Sequence, residues 1–116
     1  MHEVSICEAL LAQVARLAVQ HGATGVSTIT LRLGPLSGVE PALLRTAYNQ
    51  CRAGTCAQDA DLVIVTVPVR ITCQACAATG EATIERLACG TCGSADTRLV
   101  GGDEMLCESV DLVFAA

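Results

Sequence analysis

Two cysteine pairs, Cys73-Gln-Ala-Cys76 and Cys89-Gly-Thr-Cys92, are separated by twelve residues. Two residues between thiolates let one tight turn aim both sulfurs at a single ion, and two such turns complete a tetrahedron, the coordination of structural Zn2+. Gly90 and Gly93 ease the second turn, whereas Ala77 stands directly after Cys76, where a glycine would serve the first. A redox-active CxxC fits less well, because thioredoxin-like pairs come singly and precede a helix in a βαβ unit. An iron-bound electron-transfer site or disulfides complete the alternatives. A closed four-thiolate site has no open position for catalysis, so these residues imply a module and no reaction. From Cys73 to Gly102 the large apolar side chains are few (Ile84, Leu87, Leu99 and Val100), so a metal must stand in for a core.

A second arrangement opens the chain. In Met1-His2-Glu3 an imidazole lies next to the α-amine, and amine, backbone amide nitrogens and imidazole can surround an ion in one plane. Planar nitrogen coordination belongs to Ni2+ and Cu2+, not Zn2+. Met1 is expected to be retained, His2 being bulky. On these three residues alone, a histidine at position 2 is more often an exposed residue with no ligand. Affinity at such a chelate rises with pH, because the imidazole and the amides must lose protons.

The chain that must position these groups has 116 residues, the length of one domain, so any second part is a small graft. Hydrophobic residues make up 52% and aromatics only 2%, so the core is aliphatic. Twelve acidic residues against seven arginines give a net charge of −5, which disfavours phosphate backbones and anionic lipid. No apolar run approaches the roughly 20 residues that span a bilayer. The N-terminus has no basic segment or small-residue cleavage site, so a cytoplasmic protein is expected, and cysteine there reads as metal or redox chemistry.

Periodicity predicts a helix over 3–21, with Val4, Cys7, Leu10, Leu11, Val14, Leu17 and Ala18 on its apolar face and Gly22 ending it. Alternation over 26–33 predicts a strand with Ile29, Leu31 and Leu33 inward, stopped by Gly34-Pro35. Pro41 suits the first turn of a second helix with Leu43, Leu44, Ala47, Tyr48 and Cys51 buried, ended by Gly54. Glu40 reads either as a helix-entry acid or as part of a partner-facing loop over 34–41. Residues 61–71 read as one long strand with Val63, Val65, Val67, Val69 and Ile71 on a shared face; Pro68 makes it an edge or sends it out of its sheet. In the last strand, 105–114, the apolar phase changes by one residue around Glu108-Ser109, as a β-bulge would produce. The expected fold is α+β: a small domain of two helices and a roughly three-stranded mixed sheet, with an inserted four-cysteine module resembling a zinc ribbon. Residues 1–70, completed by 104–116, form the first part and 71–103 the second. Cys7 and Cys51, on buried stripes, read as small hydrophobes, and Cys56 and Cys107 carry no assigned role.

Met1-His2-Glu3, the helix carrying Ser5-Ile6-Cys7-Glu8-Ala9-Leu10-Leu11, the segment Leu31-Arg32-Leu33-Gly34-Pro35-Leu36-Ser37-Gly38-Val39-Glu40-Pro41, both CxxC pairs and Gly102-Asp103-Glu104-Met105 together resemble the hydrogenase nickel-insertion accessory proteins of the HypA/HybF family. The resemblance covers essentially the whole chain. It implies a metallochaperone and no enzyme, carrying Ni2+ to the large subunit of [NiFe]-hydrogenase during maturation. It implies nickel at Met1, His2 and Glu3, and structural zinc at Cys73, Cys76, Cys89 and Cys92. It further implies as partners the GTPase accessory protein of that pathway and the hydrogenase large-subunit precursor; apart from the resemblance, a monomer or weak homodimer is expected.

Two other classes compete. A zinc-ribbon protein-interaction or nucleic-acid-binding module without nickel transfer is opposed by the segment 73–102, where Arg86 and Arg98 face Glu81, Glu85 and Asp96 and no aromatic is available for stacking. A hydrolytic or redox enzyme lacks a nucleophile with a base, since His2 and His21 are about 28 Å apart on one helix at 1.5 Å per residue.

Overall fold

The computed structural model describes residues 2–116, so Met1 lies outside the described residues. Two helices, α1 (His2–Gln20) and α2 (Pro41–Cys51), accompany six strands: β1 (Gly25–Leu33), β2 (Asp61–Thr66), β3 (Val69–Cys73), β4 (Thr79–Ala82), β5 (Thr97–Gly101) and β6 (Met105–Val113). The strands form two three-stranded sheets, ordered β2-β1-β6 and β4-β3-β5. Two compact units result. One joins α1 and most of β1 to Val39–Val65 and Leu106–Ala116; the other joins Arg32–Gly38 to Thr66–Met105. Among the described residues, no helix is long and apolar enough to cross a membrane.

In the first unit α1 buries Cys7, Leu10, Leu11, Val14 and Ala18, the stripe expected from its period. It ends in a Schellman motif: Gly22 has φ +68°, its N–H donates to Val19 O, and Ala23 N–H donates to Ala18 O at 2.9 Å. The Glu40 carboxylate caps α2 by accepting from Ala42 N–H, with Pro41 in the first turn, which makes Glu40 a helix-entry acid. Helix α2 buries Leu44, Ala47 and Tyr48 but leaves Leu43 exposed, and it stops at Cys51, before Gly54. Tyr48, fully buried, donates its hydroxyl to Ala60 O at 2.7 Å and so fixes the loop after α2. Backbone and hydroxyl of Thr24 donate to Val113 O and Ser27 Oγ donates to Asp111 O, so β1 and β6 run antiparallel.

The stretch read as one strand is two. Leu62 is the buried residue of β2, with Val63 and Val65 exposed, whereas Val69, Ile71 and Cys73 are the buried residues of β3. The buried phase therefore reverses at Val67-Pro68. Proline has no N–H for a ladder, so the chain leaves one sheet there before it enters the other. In β6 the half-buried positions are Cys107, then Val110 and Leu112, which preserves the one-residue change of phase around Glu108-Ser109.

In the second unit β3 is central and antiparallel to both neighbours. It pairs Val69 with Ala82 and Thr72 with Thr79 on one side, and Ile71 with Leu99 and Cys73 with Thr97 on the other. The loop after β1 is stitched to the segment before β6: Gly34 N–H donates to Glu104 O at 2.9 Å and Leu36 N–H to Gly102 O at 2.7 Å. The Glu104 carboxylate accepts from Gly102 N–H. That bond, its own N–H, the Arg32 charge and the Asp103 N–H hold its carboxyl below the usual range.

Candidate metal centre

The second unit converges on its cysteines. Cys73 ends β3 and Cys76 lies in the turn after it, and the loop between β4 and β5 carries Cys89 and Cys92. The two turns repeat the same bonds. Ala75 and Cys76 N–H groups point at Cys73 Sγ at 3.3 and 3.4 Å, and Thr91 and Cys92 N–H groups at Cys89 Sγ at 3.3 and 3.4 Å. Each turn closes with a backbone bond, Ala77 N–H to Cys73 O at 3.0 Å and Gly93 N–H to Cys89 O at 2.9 Å.

The sulfurs lie across from each other, Cys73 to Cys92 at 3.6 Å and Cys76 to Cys89 at 3.6 Å. All four are within 4.8 Å of one another. A tetrahedron with metal–sulfur bonds of about 2.3 Å has edges of about 3.8 Å, so the spacing fits one ion. It is far beyond the roughly 2.05 Å of a disulfide, and all eight cysteines are free. Cys73 and Cys89 are buried while Cys76 and Cys92 are exposed, so the cluster is reached from one side.

The donor pattern divides the thiols. The N–H groups of Cys92 and Thr91 bring Cys89 down to about 6, and those of Cys76 and Ala75 lower Cys73. Ala78 N–H lowers Cys76, but the sulfurs around it and burial outweigh that and push it up to about 12. Cys92 is raised as well, the Ser94 N–H being outweighed, with Cys73 the largest opposing influence. Metal binding requires four thiolates, so the protons on Cys76 and Cys92 must leave, and acid weakens binding. At neutral pH, above about 6 for Cys89 and below about 12 for Cys76 with Cys92 raised as well, Zn2+ is expected to expel at least about two protons and gain at least about a hundredfold in affinity per pH unit. Calorimetry in buffers of different ionisation enthalpy counts the protons; release of none, or of four, would contradict this division.

Ala77 occupies the left-handed conformation at φ +64°, the counterpart of Gly93 at φ +77°. A side chain there costs about 1 kcal/mol. Ala77→Gly is therefore expected to stabilise the metal-loaded unit by about 0.5–1 kcal/mol, and Gly93→Ala to destabilise it by a similar amount. Denaturant midpoints of the metal-loaded variants check both signs.

At the other end of the chain, His2 begins α1 and is exposed, while Glu3 is half-buried. Glu3 lines a cavity of about 260 Å3 with Val4, Leu43, Thr46, Ala47 and Gln50. Met1, the third residue of the expected nickel set, lies outside the described residues. Among the described residues, the four cysteines are the group of His, Cys, Asp or Glu side chains placed to hold a metal ion. Of the remaining cysteines, Cys7 is fully buried, and burial, with Cys51 adding to it, pushes its thiol up to about 11. Its sulfur donates to Leu44 O at 3.5 Å, which is the behaviour of a small packed hydrophobe.

Residues 1–112 match the family described as "Hydrogenase/urease nickel incorporation, metallochaperone, hypA". Among curated relatives, the Hydrogenase maturation factor HypA of Nitrosospira multiformis is 43% identical over 113 residues, covering 97% of this chain and 98% of that one. The Hydrogenase maturation factor HypA of Aquifex aeolicus is 35% identical over 112 residues, 97% of each chain. In fold, the chain is similar to the solution structure of the Ni metallochaperone HypA from Helicobacter pylori, with a TM-score of 0.69 at 23% identity over 97% of this chain and 98% of that one. A second solution structure, of HypA protein, gives a TM-score of 0.74 at 24% identity over 97% of both chains.

Proposed function

The chain belongs to the HypA family of metallochaperones for nickel incorporation into hydrogenase and urease, and from that premise we propose that it carries Ni2+ to the large-subunit precursor of a [NiFe]-hydrogenase, acting with the GTPase accessory protein of the same maturation route. It is a carrier and no enzyme, working in the cytoplasm as a monomer or weak homodimer. Nickel is held by Met1, His2 and Glu3 in the part formed by residues 1–70 and 104–116. Structural zinc is held by Cys73, Cys76, Cys89 and Cys92 in 71–103. The observation that carries this reading is the family match over residues 1–112, which spans both motifs.

Physical arguments support each site. The first N–H groups of an α-helix have no intrahelical acceptor, so with α1 starting at His2 the amides of His2 and Glu3 can lose their protons to a planar nickel chelate without breaking the helix ladder. An exposed imidazole in the first turn of α1 also lets the ion leave, which a carrier must allow. At the other site, four converging thiolates, with no fifth group beside them among the described residues, match a closed structural centre.

Calorimetric titration of Ni2+ into zinc-loaded protein with its native, untagged N-terminus tests the reading beside His2→Ala. Stoichiometric binding is expected in the first and its loss in the second. Equal binding in both, or none in either, would remove nickel from the N-terminus.

A further inference from the structure

The cavity against Glu3 is closed on its other side by α2. Cys7 Sγ meets Leu44 O, and one turn earlier on α1 Glu3 and Val4 share the cavity with Ala47 and Gln50, so the two helices pack in opposite directions. The start of α1 is thereby set against the end of α2, and a half-buried carboxylate faces a small, mostly apolar space. Two polar side chains of α2 line that space, and one is already engaged: Thr46 Oγ1 donates to Ala42 O at 3.1 Å. The carboxamide of Gln50 has two donors and no hydrogen-bond partner among the described residues, and no cationic side chain lines the cavity.

We infer that Gln50 is a positioning residue for the nickel site: its unengaged carboxamide, which lines the same space as Glu3, turns onto the Glu3 carboxylate when the ion binds and holds the first turn of α1 in the geometry that receives it. The inference rests on the N-terminal nickel site proposed above. A donor behind a ligating residue fixes its orientation, and loss of such a donor typically weakens metal binding by about ten- to a hundredfold. Gln50 is solvent-exposed on a helix and leucine is a strong helix former, so Gln50→Leu keeps α2 while removing the donor.

The test is a double-mutant cycle read by Ni2+ calorimetry on zinc-loaded, untagged protein, with Gln50→Leu, Glu3→Gln and the pair. Gln50→Leu is expected to weaken Ni2+ binding about tenfold in the native background and to cause no further loss once Glu3 is glutamine. Unchanged affinity in Gln50→Leu, or an equal loss in both backgrounds, overturns the positioning role, since a merely structural residue would act irrespective of Glu3. A His2→Ala variant run alongside separates the two failures, because nickel binding that survives there overturns the site itself.

Discussion

Cys89→Ser is expected to empty the four-thiolate centre and unfold residues 66–105. The second unit has little else to hold it. Its large aliphatic side chains fully inside, apart from Leu33, are Val69 and Ile71, while Ile84, Leu87, Leu99 and Val100 are each 39–50% exposed. Two buried side chains contribute about 1.5–3 kcal/mol each, far short of the ordering cost of a segment this long. Structural zinc supplies about 10–16 kcal/mol in small zinc-dependent modules. Cys89 is the strongest choice, because its buried sulfur accepts two N–H groups that would lose their acceptor with the thiolate. Hydrogen exchange resolves the outcome: amides of β3 and β5 should lose protection while those of α1 and α2 keep theirs. Retained protection at Ile71 and Leu99 would show a core independent of metal.

Gly34→Ala should be the most damaging of the glycine replacements. A Cβ at Gly34 would lie 2.1 Å from Gly102 O and 2.3 Å from its carbonyl carbon, and backbone cannot step aside as a side chain can. The two strands of contact that would have to part are the bonds from Gly34 to Glu104 and from Leu36 to Gly102. Gly102 cannot yield: it sits at φ +108°, and its own α-carbon faces Val69 so closely that a Cβ would meet Val69 Cα at 2.7 Å. A loss of at least about 3 kcal/mol is expected, the range of overpacking combined with broken buried hydrogen bonds. Gly38→Ala makes the control. Its φ of +79° carries a strain of about 1–2 kcal/mol, but nothing lies within 4 Å of the added carbon. Equal denaturant midpoints for the two variants would refute the close approach.

The cysteine centre was legible because each half of it is local: two residues between ligands dictate the turn, and only the meeting of the halves needed the fold. Both helices and the strand 26–33 were legible for the same reason, their periods being written in Val14, Ala18, Ile29 and Leu31. Non-local effects were not. Val63 and Val65 share a period with Val69 and Ile71 yet end on opposite sides of the solvent boundary, because Pro68 moves the chain between sheets. Strands β4 and β5 are short pieces, Thr79–Ala82 and Thr97–Gly101, that carry no run of alternation and exist through pairing to β3. The approach of Gly34 to Gly102 joins positions far apart in the chain, and the placement of Gln50 beside Glu3 depends on how two helices pack. Leu43, on the stripe expected to be buried, is exposed and lines that same cavity.

Tyr48 is the single tyrosine, the chain has no tryptophan, and its one phenylalanine is Phe114. Both aromatics belong to the first unit, and residues 32–38 and 66–105 contain none. Intrinsic fluorescence and near-ultraviolet dichroism therefore watch one half of the molecule and are blind to the other. A clean tyrosine melt would be recorded even after the cysteine module had come apart. The missing signal has to come from the thiolates themselves, through the charge-transfer bands of a coloured ion such as Co2+ in place of zinc, so that each unit is followed at its own wavelength.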